Sequence, residues 1–348
     1  MQPPSMQKPS RRTVLQSAAS FASLSSVGAG LQPAFAQSRT GPAKKPIQPW
    51  NVMVPYKSSG RTTFIGERFF SALAEVLEET VSFENKLGGI NEEIKAFTQL
   101  PPDSRTLMLW SVSLPRRGAF APYGGSEIKA SLEPVALVAR EPMVLCMSYQ
   151  STVKFVIQNL EQLLRYVRKH PGKLTIAAHN DSAGQALAAE LFKSMSQTYI
   201  TRMATADLDS DIQPVVEGKI DLIFQHLNLA RSAIQAGTVV PLAYTASPTQ
   251  PKLNWERMGL KKSPPLLYDV PEFSQYEMYY YYTLFAPPSM AANERALISV
   301  ACAKALALPD YKERVLAGYA LPDNLNREQF LALENQEEAR WKKARGRW

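Results

Sequence analysis

The chain predicts an α/β fold with mostly parallel sheets. Two observations carry this: short apolar strands alternate with amphipathic helices, and no segment repeats at solenoid spacing. Its 348 residues are enough for two domains. A balance of 45% apolar and 20% charged residues supports an ordinary buried core.

The elements follow in order. Trp50–Pro55 reads as a short apolar strand, and Tyr56–Arg61 as a polar loop containing Gly60. Ile65, Phe69, Ala72, Leu73, Val76 and Leu77 then recur at helical spacing. Val81–Phe83 and Leu107–Trp110 are further strands, and Pro134–Val138 and Met143–Met147 are extended and buried. Asn159 and Gln162 form a capping-box pair for a helix whose apolar face is Leu160, Leu163, Leu164 and Val167; Pro171-Gly172 ends it. Leu174–Ala178 is a strand, His179–Gly184 a loop and Ala186–Met195 a helix. Asp207–Glu217 reads as a helix interrupted by Pro214. Lys219–Phe224 is a strand, Asn228 caps a helix that stops at Gly237, and Val239–Tyr244 is a strand. Tyr279–Phe285 is extended, Glu294–Leu306 helical, and Asn326 with Gln329 caps a terminal helix running to about Lys343. In a sheet of this kind, loops after the strand C-ends meet at a crevice. Helix N-termini there offer free N–H groups to an anion.

The first 36 residues read as an export signal. Arg11-Arg12 is a twin-arginine pair, Val14–Leu31 is weakly apolar, and Ala34-Phe35-Ala36 is a small-x-small cleavage pattern. Residues 37–47 are a polar tether. The formal charge is +8; without Lys8, Arg11 and Arg12 it falls to +5, with no basic run interleaved with aromatics. That excludes nucleic acid as a partner. Cys146 and Cys302 lie in apolar stretches outside any C-x-x-C or Cys/His cluster, so neither zinc nor redox chemistry is indicated. No cofactor motif is present, and three scattered His make no metal site.

Several segments together resemble the Bug-type receptors of tripartite tricarboxylate transporters. They include Lys45-Pro46-Ile47, Val54-Pro55-Tyr56, Phe83–Gly89, Pro102–Leu109, Pro171–Leu174, Ala188–Lys193, Gly218–Phe224, Leu284–Pro287, Glu328-Gln329-Phe330 and Trp341. They are collinear from about residue 45 to the end. The resemblance implies a two-lobed periplasmic binding protein of type II, the Venus-flytrap fold with a hinge between lobes. Lobe 1 would be 48–148 with 250–348, and lobe 2 would be 149–249. It implies a small carboxylate as ligand and membrane permease subunits as partners, in the periplasm. The departures fall in the loops: Ser59 replaces a Gly, Thr63 replaces an Asp, and Gln225-His226-Leu227-Asn228 replaces D-N-x-P.

The expected ligand contacts follow from that frame. Tyr56, Ser58, Ser59, Gly60, Arg61 and Thr62 form an anion cradle leading into a helix N-terminus. Ser111 and Ser113 join it from the third strand's loop. His179, Ser182, Ala183 and Gly184, with Gln225, His226 and Asn228, approach from lobe 2. In Tyr279–Tyr282 alternate rings face opposite sides, so two can line a crevice. His179, Asp181 and Ser182 sit too close along one loop to converge as a triad, so no catalytic residue is assigned. Two rival readings remain: a sensing or adapter protein on the same scaffold, and an exported enzyme.

Overall fold

The computed structural model describes residues 48–112, 131–179, 184–205, 211–260, 262–274 and 276–345. The segments expected from sequence to be an export signal and a tether, and Ser113, Ser182 and Ala183, lie outside these. Among the described residues ten strands are connected: eight form a path in the order β2-β1-β3-β9-β4-β7-β5-β6, and β8 and β10 also pair with β4, which joins a first sheet (β1, β2, β3, β9, β10) to a second (β5, β6, β7, β8). The strands are β1 (Trp50–Val54), β2 (Val81–Asn85), β3 (Thr106–Val112), β4 (Glu133–Ser148), β5 (Thr175–His179), β6 (Thr201–Thr205), β7 (Leu222–His226), β8 (Val239–Tyr244), β9 (Tyr279–Ala286) and β10 (Leu321–Leu325). The helices are α1 (Arg61–Leu77), α2 (Ile90–Thr98), α3 (Tyr149–Phe155), α4 (Leu160–Lys169), α5 (Gly184–Ser196), α6 (Gln213–Val216), α7 (Leu227–Gln235), α8 (Ala292–Ala307), α9 (Pro309–Ala317) and α10 (Arg327–Arg345).

The sheet is mixed, which corrects the expectation of mostly parallel pairing. Among the described strand pairs, only β1–β2, β1–β3, β5–β6 and β5–β7 are parallel. The strands on β4 run against it, and β3 runs against β9. Apolar spacing marks a strand but not its partner's direction. The two buried segments expected around residues 134–147 are one sixteen-residue strand, β4. Its first part pairs with β9 and β10, and Met143–Ser148 pairs with β7 and β8. β4 therefore belongs to both sheets.

Packing follows from which face each residue takes. On the first sheet Val52, Leu107, Leu109 and Leu284 meet Phe69, Ile298, Cys302 and Tyr311. On the second, Leu145, Met147, Leu222 and Phe224 meet Leu163, Leu187 and Phe192. The opposite faces share a third cluster, with Trp110, Val144, Cys146, Tyr279, Tyr281 and Phe330. Both cysteines are buried and free, and burial pushes both thiols up.

Helix ends show how local chemistry sets boundaries. At α10, Gln329 N–H donates to Asn326 Oδ1 and Asn326 N–H donates to Gln329 Oε1, each at 3.0 Å, a complete capping box. At α4 Asn159 accepts from Gln162 N–H at 2.9 Å, but the Gln162 side chain accepts from Gln158 N–H instead. Two expectations are corrected. Only Gln213–Val216 of the 207–217 segment is helical among the described residues, with Pro214 in its first turn, where a missing N–H costs nothing. Asn228 is inside α7, whose N-cap is His226.

Thr245 ties the chain where it leaves and re-enters the first sheet. Its hydroxyl accepts from Met143 N–H at 2.9 Å and donates to the Met278 carbonyl, fully buried. Replacing it by Val keeps the volume and strands both backbone groups. Urea unfolding of Thr245→Val should show a loss of about 1–3 kcal/mol for each stranded group. An unchanged midpoint would mean the hydroxyl holds neither strand.

α10 carries a second testable feature. Glu337 is buried, 2.9 Å from Arg340 and 3.5 Å from the Tyr281 hydroxyl. Burial raises its carboxyl to about 7, with Arg340 opposing and Glu277 adding to the rise. A raised acid binds its proton more tightly folded than unfolded. Its contribution is therefore complete below the ordinary carboxyl range and is lost as pH rises through about 7. Thermal unfolding across pH 5 to 8 should show a smaller decline for Glu337→Gln than for the parent. Equal declines would reject this account.

Candidate functional site: a buried polar cluster between the sheets

The loop after β1 is built by backbone contacts. Gly60 N–H donates to the Lys57 carbonyl at 2.8 Å, and the Thr63 hydroxyl donates to the same oxygen at 3.1 Å. A Cβ on Gly60 would lie 2.9 Å from that oxygen, so the close approach requires glycine. Asn85 Nδ2, at the end of β2, donates to the Tyr56 carbonyl (2.9 Å) and to Thr63 Oγ1 (2.7 Å). The Tyr56 hydroxyl donates to the Ser111 carbonyl at 3.0 Å. Lys57, Ser58 and Ser59 are exposed, and Thr62 is buried. Gly60 caps α1 without a side-chain bond, and no acid lies in the first turn. The positive end of a seventeen-residue helix is thus uncompensated by its own sequence.

Arg61 opens α1 and turns inward. Its Nε donates to Glu141 Oε2 at 2.7 Å and its Nη2 donates to the Gly318 carbonyl. The two side chains are 8% and 0% exposed. Glu141 comes from β4, two residues before the strand changes sheets. The same Oε2 accepts from the Tyr282 hydroxyl at 2.8 Å. His226 Nδ1 lies 3.4 Å away, outside hydrogen-bond geometry, and attracts the carboxylate only when protonated. Burial pushes the Glu141 carboxyl up, but Arg61 and then His226 outweigh it and hold it at about 2. The residue is therefore an anion at any ordinary pH. Glu141 Oε1 and Arg61 Nη1 are both buried without a hydrogen-bond partner.

The second sheet completes the cluster. His226, last in β7, stacks on Tyr280 with centroids 3.7 Å apart and planes 21° apart. Gln225 Oε1 accepts from Gln185 Nε2 at 3.3 Å and from His226 N–H at 2.8 Å. Gln225, His226 and Gln185 are all buried. α7 follows His226 with neither a side-chain cap nor an acid in its first turn. Burial, then the nearby Asp211 and Glu141 carboxylates, pushes the Tyr280 hydroxyl up.

Of the residues expected from sequence, Arg61 and His226 meet at Glu141, and Gln225 adjoins His226. Tyr56 bonds to the Ser111 carbonyl, and Ser111 lies within β3 and not in the loop after it, which corrects the expectation from sequence. Ser58 and Ser59 point to solvent. Gly184 begins α5, and Asn228 is half-buried in α7. His179 ends β5, and the rest of the His179–Ser182 loop lies outside the described residues. Sequence reading missed Glu141, Gln185, Asp211, Tyr280 and Tyr282 as members. The available signal was the charged pair Arg140-Glu141 inside an otherwise apolar strand. Among the described residues no group of His, Cys, Asp and Glu could hold a metal, and no helix is long and apolar enough to cross a membrane.

Known proteins resemble this chain along most of its length. The family TctC, described as the tripartite tricarboxylate transporter family receptor, matches residues 68–345. A UPF0065 protein from the tcbD-tcbE intergenic region of Pseudomonas sp. (strain P51) is 23% identical, over 77% of this chain and 76% of its own. Among solved structures, a Rhodopseudomonas palustris protein with adipate has a TM-score of 0.66 at 20% identity, covering 87% of this chain and 97% of that one. MatC from the same organism, with bound malate, has a TM-score of 0.66 at 20% identity, covering 86% and 99%. The periplasmic binding protein BugD has a TM-score of 0.63 at 21% identity, covering 86% and 98%. The fold is therefore the two-lobed binding-protein fold expected from sequence, and the chain belongs to the tripartite tricarboxylate transporter receptor family.

Proposed function

We propose that this chain is an exported solute-binding protein that captures a small carboxylate and delivers it to the membrane permease subunits of a tripartite tricarboxylate-type transporter. The observation that carries this reading is the buried convergence of Arg61 and the uncapped start of α1 with Gln225 and His226 from the other sheet. A cation, two open helix N-termini and buried amide and imidazole groups suit an anion that must leave water. Adipate and malate in the two R. palustris relatives support the same ligand class.

In this reading lobe 1 is 48–148 with 250–348 and lobe 2 is 149–249. The change of partners along β4 near Pro142, and the return of the chain to β9 at Tyr279, support two lobes but favour crossings at those points over 148 and 249, since Met143–Ser148 and Leu267, Phe273, Tyr276 and Met278 pair or pack with the second sheet. Residues 1–36 direct export to the periplasm by the twin-arginine route, and 37–47 follow as a tether. The carboxylate takes N–H groups near Ser58–Thr62 and Ser111–Ser113. His179, Ser182–Gly184 and Gln225–Asn228 face it from lobe 2. No bond is made or broken, so the protein works as a receptor and not as an enzyme.

Binding to the folded state alone raises the unfolding midpoint with ligand concentration. A panel of small mono- and dicarboxylates should contain at least one acid that does this. Arg61→Lys keeps the charge but loses the planar fork, and should weaken that acid about tenfold or more in calorimetry. A folded protein unmoved by every acid in the panel would reject carboxylate capture.

A further inference from the structure

The cluster at the sheet junction holds an acid as well as a base, and this bears on which carboxylates it admits. Glu141 is fully buried and ionised. One oxygen is saturated by Arg61 and Tyr282, with His226 beside it. The other, Oε1, is buried with no partner. On the opposing side chain Arg61 Nη1 is a buried donor with no partner. A buried polar atom left unpaired is costly, and a charged one more so. The pair therefore presents one open acceptor and one open donor.

A dicarboxylate fits this arrangement poorly. Its first carboxylate can use Arg61 Nη1 and the α1 N-terminus, but a second one nearby meets the charge of the fully buried Glu141, where screening is weak. A ligand with one carboxylate and one hydrogen-bond donor satisfies both open atoms. We propose that Glu141 is a specificity-determining residue, and that the ligand is a small carboxylate that also carries a donor such as an ammonium, amide N–H or hydroxyl group. This rests on the carboxylate reading above and narrows it. Tyr280, stacked on His226 beside Glu141, walls the position where the donor would lie.

The test uses the unaltered protein and three four-carbon probes in calorimetry: butyrate, succinate and 4-aminobutyrate. The same comparison is made with hexanoate, adipate and 6-aminohexanoate. In at least one set the amino acid should bind roughly tenfold or more tightly than both companions, since a buried group left unpaired discriminates strongly. Glu141→Gln, checked for folding by circular dichroism, should shrink that preference and improve relative binding of the dicarboxylate. Equal or tighter binding of a dicarboxylate by the unaltered protein would overturn the role of Glu141 while leaving carboxylate capture standing. Binding of no probe in either set would overturn both.

Discussion

The arrangement depends on β4. A strand shared by two sheets is covered on both faces, so nearly every side chain in it must be apolar or paired. Fifteen of its sixteen residues are buried, and only Glu133 at its start is half-buried. The strand must also hold its pairing through the point where its neighbours change from β9 and β10 to β7 and β8. Thr245 does this with a hydroxyl that replaces ladder bonds between Met143 and Met278. Arg61, from the loop after β1, and His226, at the end of β7, then meet at Glu141 of this single strand.

Burying Glu141 beside that crossing is not a stabilising choice in itself. A buried ion pair recovers its desolvation cost only with good geometry and saturated partners. Here one oxygen is saturated and the other is not. An apolar pair of the same size would pack at least as well between the hydrophobic clusters on either side. The charge is better understood through what it does to the site. It fixes the Arg61 head, which would otherwise extend into water from the first turn of α1. It also sets a negative field beside the Tyr280–His226 stack.

Much of the scaffold was legible because apolar spacing and end signals are local. Val239–Tyr244 was found with its observed boundaries, and the Asn326/Gln329 box marks the start of α10 as expected. What was missed had weak local patterns. β6 is an edge strand with its middle residues exposed, so it carries no apolar alternation. The site was half legible. Arg61 and His226 follow from their loops, whereas Glu141 and Tyr282 meet them only through pairing 141 residues apart. Asn228 failed as a cap because the helix begins two residues earlier than that cap would require, after an extended His226.

The adjacent charges Arg140 and Glu141 show how one strand serves two faces. Successive side chains on a strand point to opposite sides. Arg140 therefore meets Asp323 of β10 and lies over the rings of Tyr279 and Tyr281, while Glu141 meets Arg61 and Tyr282. β9 alternates in step: Tyr279 and Tyr281 pack with the Arg140 face, and Tyr280 and Tyr282 with the Glu141 face. Neither charge can be neutralised by its chain neighbour, because the pleat separates them. Each needs a partner from outside the strand, Asp323 on one side and Arg61 on the other. The four consecutive tyrosines are the matching feature in β9, rings broad enough to cover a charge and hydroxyls able to bond to one. A register slip of one residue would put Arg140 in the site and Glu141 among the rings beside Asp323, two acids together. The charged pair thus fixes the register of β4 on β9 as firmly as the apolar pattern does.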